Sequence, residues 1–144
     1  MNLSTRTEYG LRAVMELASN YEQKPLPLKV IAQRQGISVK YLERIIAVLK
    51  NAGIVNSIRG SLGGYMLAKA PDQIKAIECF RCLEGPVSLV DCVYNKASCN
   101  RFADCMVKGL WKQVNDAIEG VLQSITLQDL VENAKREGIS NYQI

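Results

Sequence analysis

Residues 28–67 leave this chain few ways to fold. Leu28 to Gln35 spaces Val30, Ile31 and Ala32 as a short helix does, and Val39 to Ala52 sets Leu42, Ile45, Ile46 and Leu49 on one face of a longer one. Between them, Gly36-Ile37-Ser38 offers a residue free to take a left-handed turn, an apolar plug and an N-capping hydroxyl. Gly53 stops the longer helix. Two β-rich runs, Ile54 to Ile58 and Tyr65 to Ala68, then flank the glycine-rich turn Arg59-Gly60-Ser61-Leu62-Gly63-Gly64. A short helix, a glycine turn, a longer helix and an immediate hairpin predict a winged helix-turn-helix.

The flanking segments are helical. Thr5 to Tyr21 has apolar residues at helical intervals after a capping Ser4 or Thr5, and Lys24-Pro25-Leu26-Pro27 breaks it. Pro71-Asp72 opens a helix over Gln73 to Glu84, which Gly85-Pro86 ends, and Val87 to Asn100 reads as an irregular loop. Phe102 to Ile125 is the longest helical run. Its stripe of Val107, Leu110, Trp111, Val114, Ile118, Val121, Leu122 and Ile125 is long for so small a chain, so part of it is expected to pack on a second copy. Thr126 caps a short last helix, and Glu137 to Ile144 reads as frayed. The expected fold is mainly α: a winged helix-turn-helix with a two-stranded β wing and a long C-terminal dimerisation helix. Residues 1–85 form the DNA-binding domain, 86–101 a loop with Cys105 at the start of the next helix, and 102–144 the dimerisation and C-terminal helices.

Charge supports the nucleic-acid reading. Residues 1–70 hold 10 Lys and Arg against 4 Asp and Glu, whereas residues 71–144 hold 8 against 10. The outer face of the second helix carries Lys40, Tyr41, Glu43, Arg44 and Lys50, types that contact phosphates and base edges. Arg59 at the hairpin tip suits a narrow minor groove, and the adjoining glycines let backbone approach phosphates. The candidate contacts to a double-stranded DNA operator are Ser38, Lys40, Tyr41, Glu43, Arg44, Arg59, Gly60 and Ser61. The bland alternatives are a solvated helix face and an ordinary hairpin. A phosphate-binding P-loop fits poorly, because no Lys-Ser/Thr pair follows the glycines.

The sequence contains no histidine, which excludes a histidine base, a Cys-His pair and histidine metal ligation within the chain. No run approaches a membrane span, and MNLSTRTEYG lacks the basic-then-apolar pattern of a signal peptide, so a cytoplasmic protein with reduced thiols is expected. In that setting Cys92, Cys99 and Cys105, with six and then five residues between them, read as metal or cluster ligands before disulfides. Cys79 and Cys82 form a C-x-x-C inside the helix before Gly85, where core cysteines are a better reading than a redox pair. A thiol oxidoreductase using this pair is the enzymatic alternative; a non-enzyme is expected.

The chain resembles the Rrf2 family of transcriptional regulators over nearly its whole length. The resemblance is carried by Ser4 to Ala13, by Ile37-Ser38-Val39-Lys40-Tyr41-Leu42-Glu43, by Leu83-Glu84-Gly85-Pro86-Val87 and by Thr126-Leu127-Gln128-Asp129-Leu130. Its most specific string is the wing, Ile58-Arg59-Gly60-Ser61-Leu62-Gly63-Gly64-Tyr65-Met66-Leu67.

The resemblance implies a homodimeric DNA-binding regulator, a repressor without a membrane association. It also implies an iron–sulfur cluster held by Cys92, Cys99 and Cys105, of the 2Fe–2S type in preference to 4Fe–4S. Clusters usually take four protein ligands, and members that complete the set with histidine do so three residues after the last cysteine, where this chain has Lys108. Glu8 is the expected fourth ligand, supplied by the partner subunit; Asp91, Asp104, solvent and a small molecule are alternatives, and a first-turn carboxylate favoured by the helix dipole is the bland reading. The implied role is control of iron–sulfur biogenesis genes. Outside the cysteine loop the chain is at least as similar to the cluster-free branch, which includes a regulator of cysteine metabolism. Thiols acting directly as redox, nitric-oxide or zinc sensors therefore stay open.

Overall fold

A computed structural model describes residues 2–93 and 95–139. Helix α1 (Thr5–Ser19) starts at Ser4, whose hydroxyl accepts from the Thr7 amide, and buries Ala13, Val14, Leu17 and Ala18. Helix α2 (Leu28–Gln35) ends at Gly36 in the left-handed region (φ 66°, ψ 33°), and the Ile37 amide returns to the Ala32 carbonyl. Helix α3 (Val39–Asn51) starts at Ser38, whose hydroxyl accepts from the Tyr41 amide, and turns Leu42, Ile45, Ile46 and Leu49 inward. The predicted helix-turn-helix is present to within a residue.

The hairpin follows as strands β1 (Val55–Ile58) and β2 (Gly64–Leu67), antiparallel with Val55 opposite Leu67 and Ile58 opposite Gly64. The wing turn depends on close backbone packing. A Cβ on Gly63 would lie 2.1 Å from the Ile58 carbonyl oxygen, so no other residue fits there without moving the main chain. Leu26 adds a bridge to Tyr65, with its amide donating at 3.0 Å and its carbonyl accepting at 2.8 Å, which fastens the base of the wing to the α1–α2 connection.

A 3-10 turn at Pro71–Gln73 leads into helix α4 (Ala76–Glu84), which begins later than the apolar spacing suggests because Ile74 is extended. Helix α5 (Lys108–Ser124) also differs from expectation. The continuous helix predicted from Phe102 breaks into a 3-10 turn at Phe102–Asp104, extended backbone at Cys105 and a fresh start at Lys108. Cys105 thus precedes the helix instead of opening it. Helix α6 (Leu127–Arg136) is capped at Thr126 by a reciprocal pair: the Thr126 hydroxyl accepts from the Asp129 amide, and the Asp129 carboxylate accepts from the Thr126 amide. The frayed tail expected at the end of the chain lies, for residues 140–144, outside the described residues.

One buried cluster holds the body together. It joins α1, α2, α3, the wing strands and α4, and Leu127 and Val131 bring α6 back into the same core. The Lys75–Thr126 bridge fixes that return. Among the described residues 88–126, only Asn115 is buried.

Candidate nucleic-acid interface and thiol segment

The N-terminal half of α3 stands out from the body. Lys40, Glu43 and Arg44 are exposed, as is Lys50 near its end. Ser38 is exposed as well, but its hydroxyl is committed to capping α3. Tyr41 is half-buried. Its ring meets Tyr9 of α1 edge to face, with centroids 6.2 Å apart and planes at 84°, and the Arg12 guanidinium lies 5.5 Å from the Tyr9 centroid. Tyr41 is therefore held partly against α1, whereas its charged neighbours are free to meet a partner. At the wing, Arg59, Gly60, Ser61 and Leu62 are all exposed. On α3 and the wing, Lys40, Arg44, Lys50 and Arg59 thus make no ion pair to each other or to the body among the described residues.

The relative setting of α1 and α2 depends on a residue that periodicity did not single out. Glu16 is fully buried; its carboxylate accepts from Arg34 Nη1 at 3.2 Å and from Gln35 Nε2 at 3.0 Å. Burying a carboxylate is costly unless it is paired and hydrogen-bonded, and both conditions are met. The signal was available: Glu16 interrupts the apolar face of α1 between Ala13 and Leu17, and a charge at such a place demands a partner.

The five cysteines are all free thiols. Cys79 is buried in the core, which pushes its thiol up to about 12, with Cys82 and Glu78 adding to the shift. Cys82, half-buried and donating to the Cys79 carbonyl, is also raised, chiefly by burial. Both shifts disfavour a reactive thiolate, as expected of core cysteines.

Cys92, Cys99 and Cys105 lie on a segment of short 3-10 turns at Asp91–Val93, Lys96–Ser98 and Phe102–Asp104, and each is half-buried. Phe102 carries the Lys96 ammonium 5.6 Å and the Lys108 ammonium 4.7 Å from its ring centroid, and Lys108 also donates to the Ala103 carbonyl at 3.2 Å. The position occupied by a ligating histidine in the pattern considered above is here engaged in ordering the segment. Three thiols are suitable donors for iron or zinc. The structure does not gather them: among the described residues, no three Cys, Asp or Glu side chains form a metal-holding group. Glu8 is exposed in the first turn of α1 and is not brought to the cysteines within one chain. The donor chemistry fits a metal or cluster; the arrangement in a single chain does not yet form its site.

Helix α5 has two apolar sides. Trp111, Ile118 and Leu122 are half-buried, the last two lining one cavity with Phe80 of α4 and Val87 and Leu89 after it, while Leu110, Val114 and Val121 are exposed, as is Val107 just before them. No helix among the described residues is long and apolar enough to cross a membrane.

A helix-turn-helix with an exposed basic helix face and a basic wing defines a winged-helix regulator of transcription. The Rrf2 description, iron-dependent transcriptional regulator, matches residues 3–133, and the chain belongs to the Rrf2 family. The transcriptional regulator CymR of Bacillus subtilis is 42% identical over 130 residues, covering 90% of this chain and 89% of its own length. Its solved structure, described as that of the global cysteine regulator, aligns with a TM-score of 0.78 at 41% identity, covering 92% of this chain and 98% of that one. The regulator IscR of Cronobacter sakazakii is 36% identical over 143 residues, covering 99% and 88%. The solved structure of IscR from T. potens aligns with a TM-score of 0.79 at 38% identity, covering 97% and 93%. These relatives are regulators, in agreement with the expectation of a non-enzyme.

Proposed function

We propose that this chain is a homodimeric, cytoplasmic DNA-binding repressor whose operator affinity follows the state of Cys92, Cys99 and Cys105. The observation that carries the reading is the joint exposure of Lys40, Glu43 and Arg44 on α3 and Arg59 on the wing, on a body that holds both elements rigidly. In this reading α3 enters the major groove, with Arg44 and Glu43 at base edges and Lys40 at a phosphate, and Arg59 with Gly60 and Ser61 follows the adjacent minor groove. Residues 1–85 then act as the DNA-binding unit, residues 86–107 as the sensing segment and α5 as the dimer helix, through its exposed Leu110, Val114 and Val121.

The three thiols are proposed to hold an iron–sulfur cluster, 2Fe–2S in preference to 4Fe–4S, with Glu8 of the second copy as fourth donor; such a cluster supplies redox sensitivity and lability. The segment's own part is mechanical. Gathering three cysteines now spread over separate turns would shorten and order residues 92–105, and so shift their attachment to α4 and α5. The genes controlled would be those of iron–sulfur biogenesis. Anaerobically purified protein should absorb in the visible and contain iron and sulfide; colourless protein without iron after anaerobic reconstitution would refute the cluster.

A second reading keeps the DNA-binding fold and uses the thiols directly, as zinc ligands or redox sensors, in control of cysteine metabolism. It is supported by the similarity to a cysteine regulator. Stoichiometric zinc without iron would select it. Either way, Arg59→Ala should weaken binding of a duplex enriched by the wild-type protein from a random pool by about 1–3 kcal/mol in fluorescence anisotropy. Unchanged affinity at moderate salt would remove the wing from the interface.

A further inference from the structure

We propose that Glu84 is the positioning residue that transmits the state of the thiol segment to α1, and through α1 to the recognition helix α3. The inference rests on the proposed sensing role of the three thiols and adds the connection between that segment and the DNA-binding face.

Glu84 is the last residue of α4, immediately before Gly85 (φ 98°, ψ −165°) and Pro86, where the chain leaves the body for the cysteines. Its carboxylate gathers the start of α1, 80 positions earlier. Oε2 accepts from the Ser4 hydroxyl at 2.6 Å and from the buried Thr7 hydroxyl, and both oxygens lie 3.3 Å from the Ser4 amide nitrogen. Arg6 adds a second tie, its Nε donating to the Leu83 carbonyl at 3.0 Å. The hydrogen bonds from Ser4 and Thr7 hold the Glu84 carboxyl below its ordinary value. A carboxylate at a helix N-terminus, accepting from donors that begin the helix, is well matched to the local dipole.

Packing is tight beside this clamp on the α1 side. One turn along α1, Gly10 meets Leu83 so closely that an added Cβ would lie 2.6 Å from both Leu83 methyl carbons. Between the clamp and that contact, Tyr9 carries its ring to Tyr41 near the start of α3. A displacement of the α4 end is thereby carried to α1, and from α1 to the helix proposed to read DNA. Gly85 supplies the backbone freedom on the other side, so movement of the segment reaches the body at this junction. Glu84 does not touch the proposed DNA face or the thiols; its role is to make the start of α1 follow the end of α4.

The test uses the full-length protein, zinc(II) alone as a thiol ligand, and the enriched duplex. For wild type, zinc should change the dissociation constant at least fivefold, and it should change amide hydrogen exchange in the first turn of α1. The Cys92→Ser/Cys99→Ser/Cys105→Ser variant should lose both responses. Glu84→Ala should bind zinc with unchanged stoichiometry, but its ratio of dissociation constants with and without zinc should fall to within about twofold of one, with no zinc effect on α1 exchange. Ser4→Ala and Glu84→Gln, each of which keeps part of the clamp, should fall between. A merely structural glutamate would alter affinity in both states and leave the ratio intact; that result in Glu84→Ala, or in the milder variants should Glu84→Ala fail to fold, overturns the inference while sparing the sensing role. A wild-type protein that binds zinc and shows no change in DNA affinity overturns the sensing role, and the inference with it.

Discussion

Residues 4–87 and residues 88–126 treat their apolar side chains in opposite ways. The first region packs Leu17, Ile31, Leu42, Ile45, Ile46, Leu49 and Leu83 into one solvent-free cluster. The second holds cysteines, Phe102, Met106 and the stripe of α5, and among its described residues buries only Asn115, whose side chain accepts from the Leu89 amide at 3.2 Å. Hydrophobic burial gives the first region a single arrangement. The second is held by local turns, lysine–aromatic contacts and one side of α5, a construction suited to a segment that changes shape when something binds it. A rigid DNA-reading body and the deformable sensing segment proposed above would need these different materials.

The largest contrast should be chemical. At pH 8, a thiol raised to about 12 is thiolate in only roughly one molecule in ten thousand, and Cys79 is also closed off by the core. Iodoacetamide should therefore label Cys92, Cys99 and Cys105 at least about a hundredfold faster than Cys79 in native protein, followed by peptide mass spectrometry. Equal labelling would mean that the core opens as readily as the cysteine segment, which breaks the comparison at its strongest point.

Next in size is the energetic contrast. Leu42 is fully buried on α3, so Leu42→Ala should cost about 2–5 kcal/mol in urea unfolding, from lost transfer energy and the cavity left behind. A loss below about 1 kcal/mol would mean that α3 is not supported by the packing described.

How much of this was legible beforehand follows the same division. The helix-turn-helix could be read almost to the residue because every local cue agreed: apolar spacing, Gly36 in a left-handed turn, Ser38 as a cap, a glycine wing. Residues 102–107 could not. Val107, Leu110 and Trp111 have helical spacing, which invites a helix running back to Phe102, yet Phe102 is used as a platform for Lys96 and Lys108, and the helix waits until Lys108. Periodicity cannot tell an apolar residue that packs from one that binds cations. Nor could it reveal Glu16 with Arg34, or Glu84 with Ser4 and Thr7, since those pairings join residues distant in sequence. For the candidate site, the cationic side chains were readable from their place opposite the core face of α3, whereas the tie of Tyr41 to Tyr9 needed three dimensions. The cysteine spacing suggests a ligand set, but spacing carries no information about which turn each thiol occupies.

The smallest expected effect sharpens the comparison most. Met106, next to Cys105 and just before α5, is 99% exposed and meets no core in the single chain. Within this chain, Met106→Ser should change unfolding free energy by no more than about 0.5 kcal/mol, as surface substitutions away from special features do. Exposed Val107, Leu110 and Val114 follow it on the face proposed to meet a second copy. If that face is covered in the dimer and the cover reaches Met106, the loss should exceed this bound and grow with protein concentration, because unfolding then competes with association. Urea unfolding at two concentrations, about a hundredfold apart, separates the outcomes. A small, concentration-independent change leaves Met106 as a solvent-facing marker of the cysteine segment. A larger, concentration-dependent one moves the boundary between rigid and deformable regions into residues 106–124, and makes α5 part of the rigid frame against which the cysteines are proposed to move.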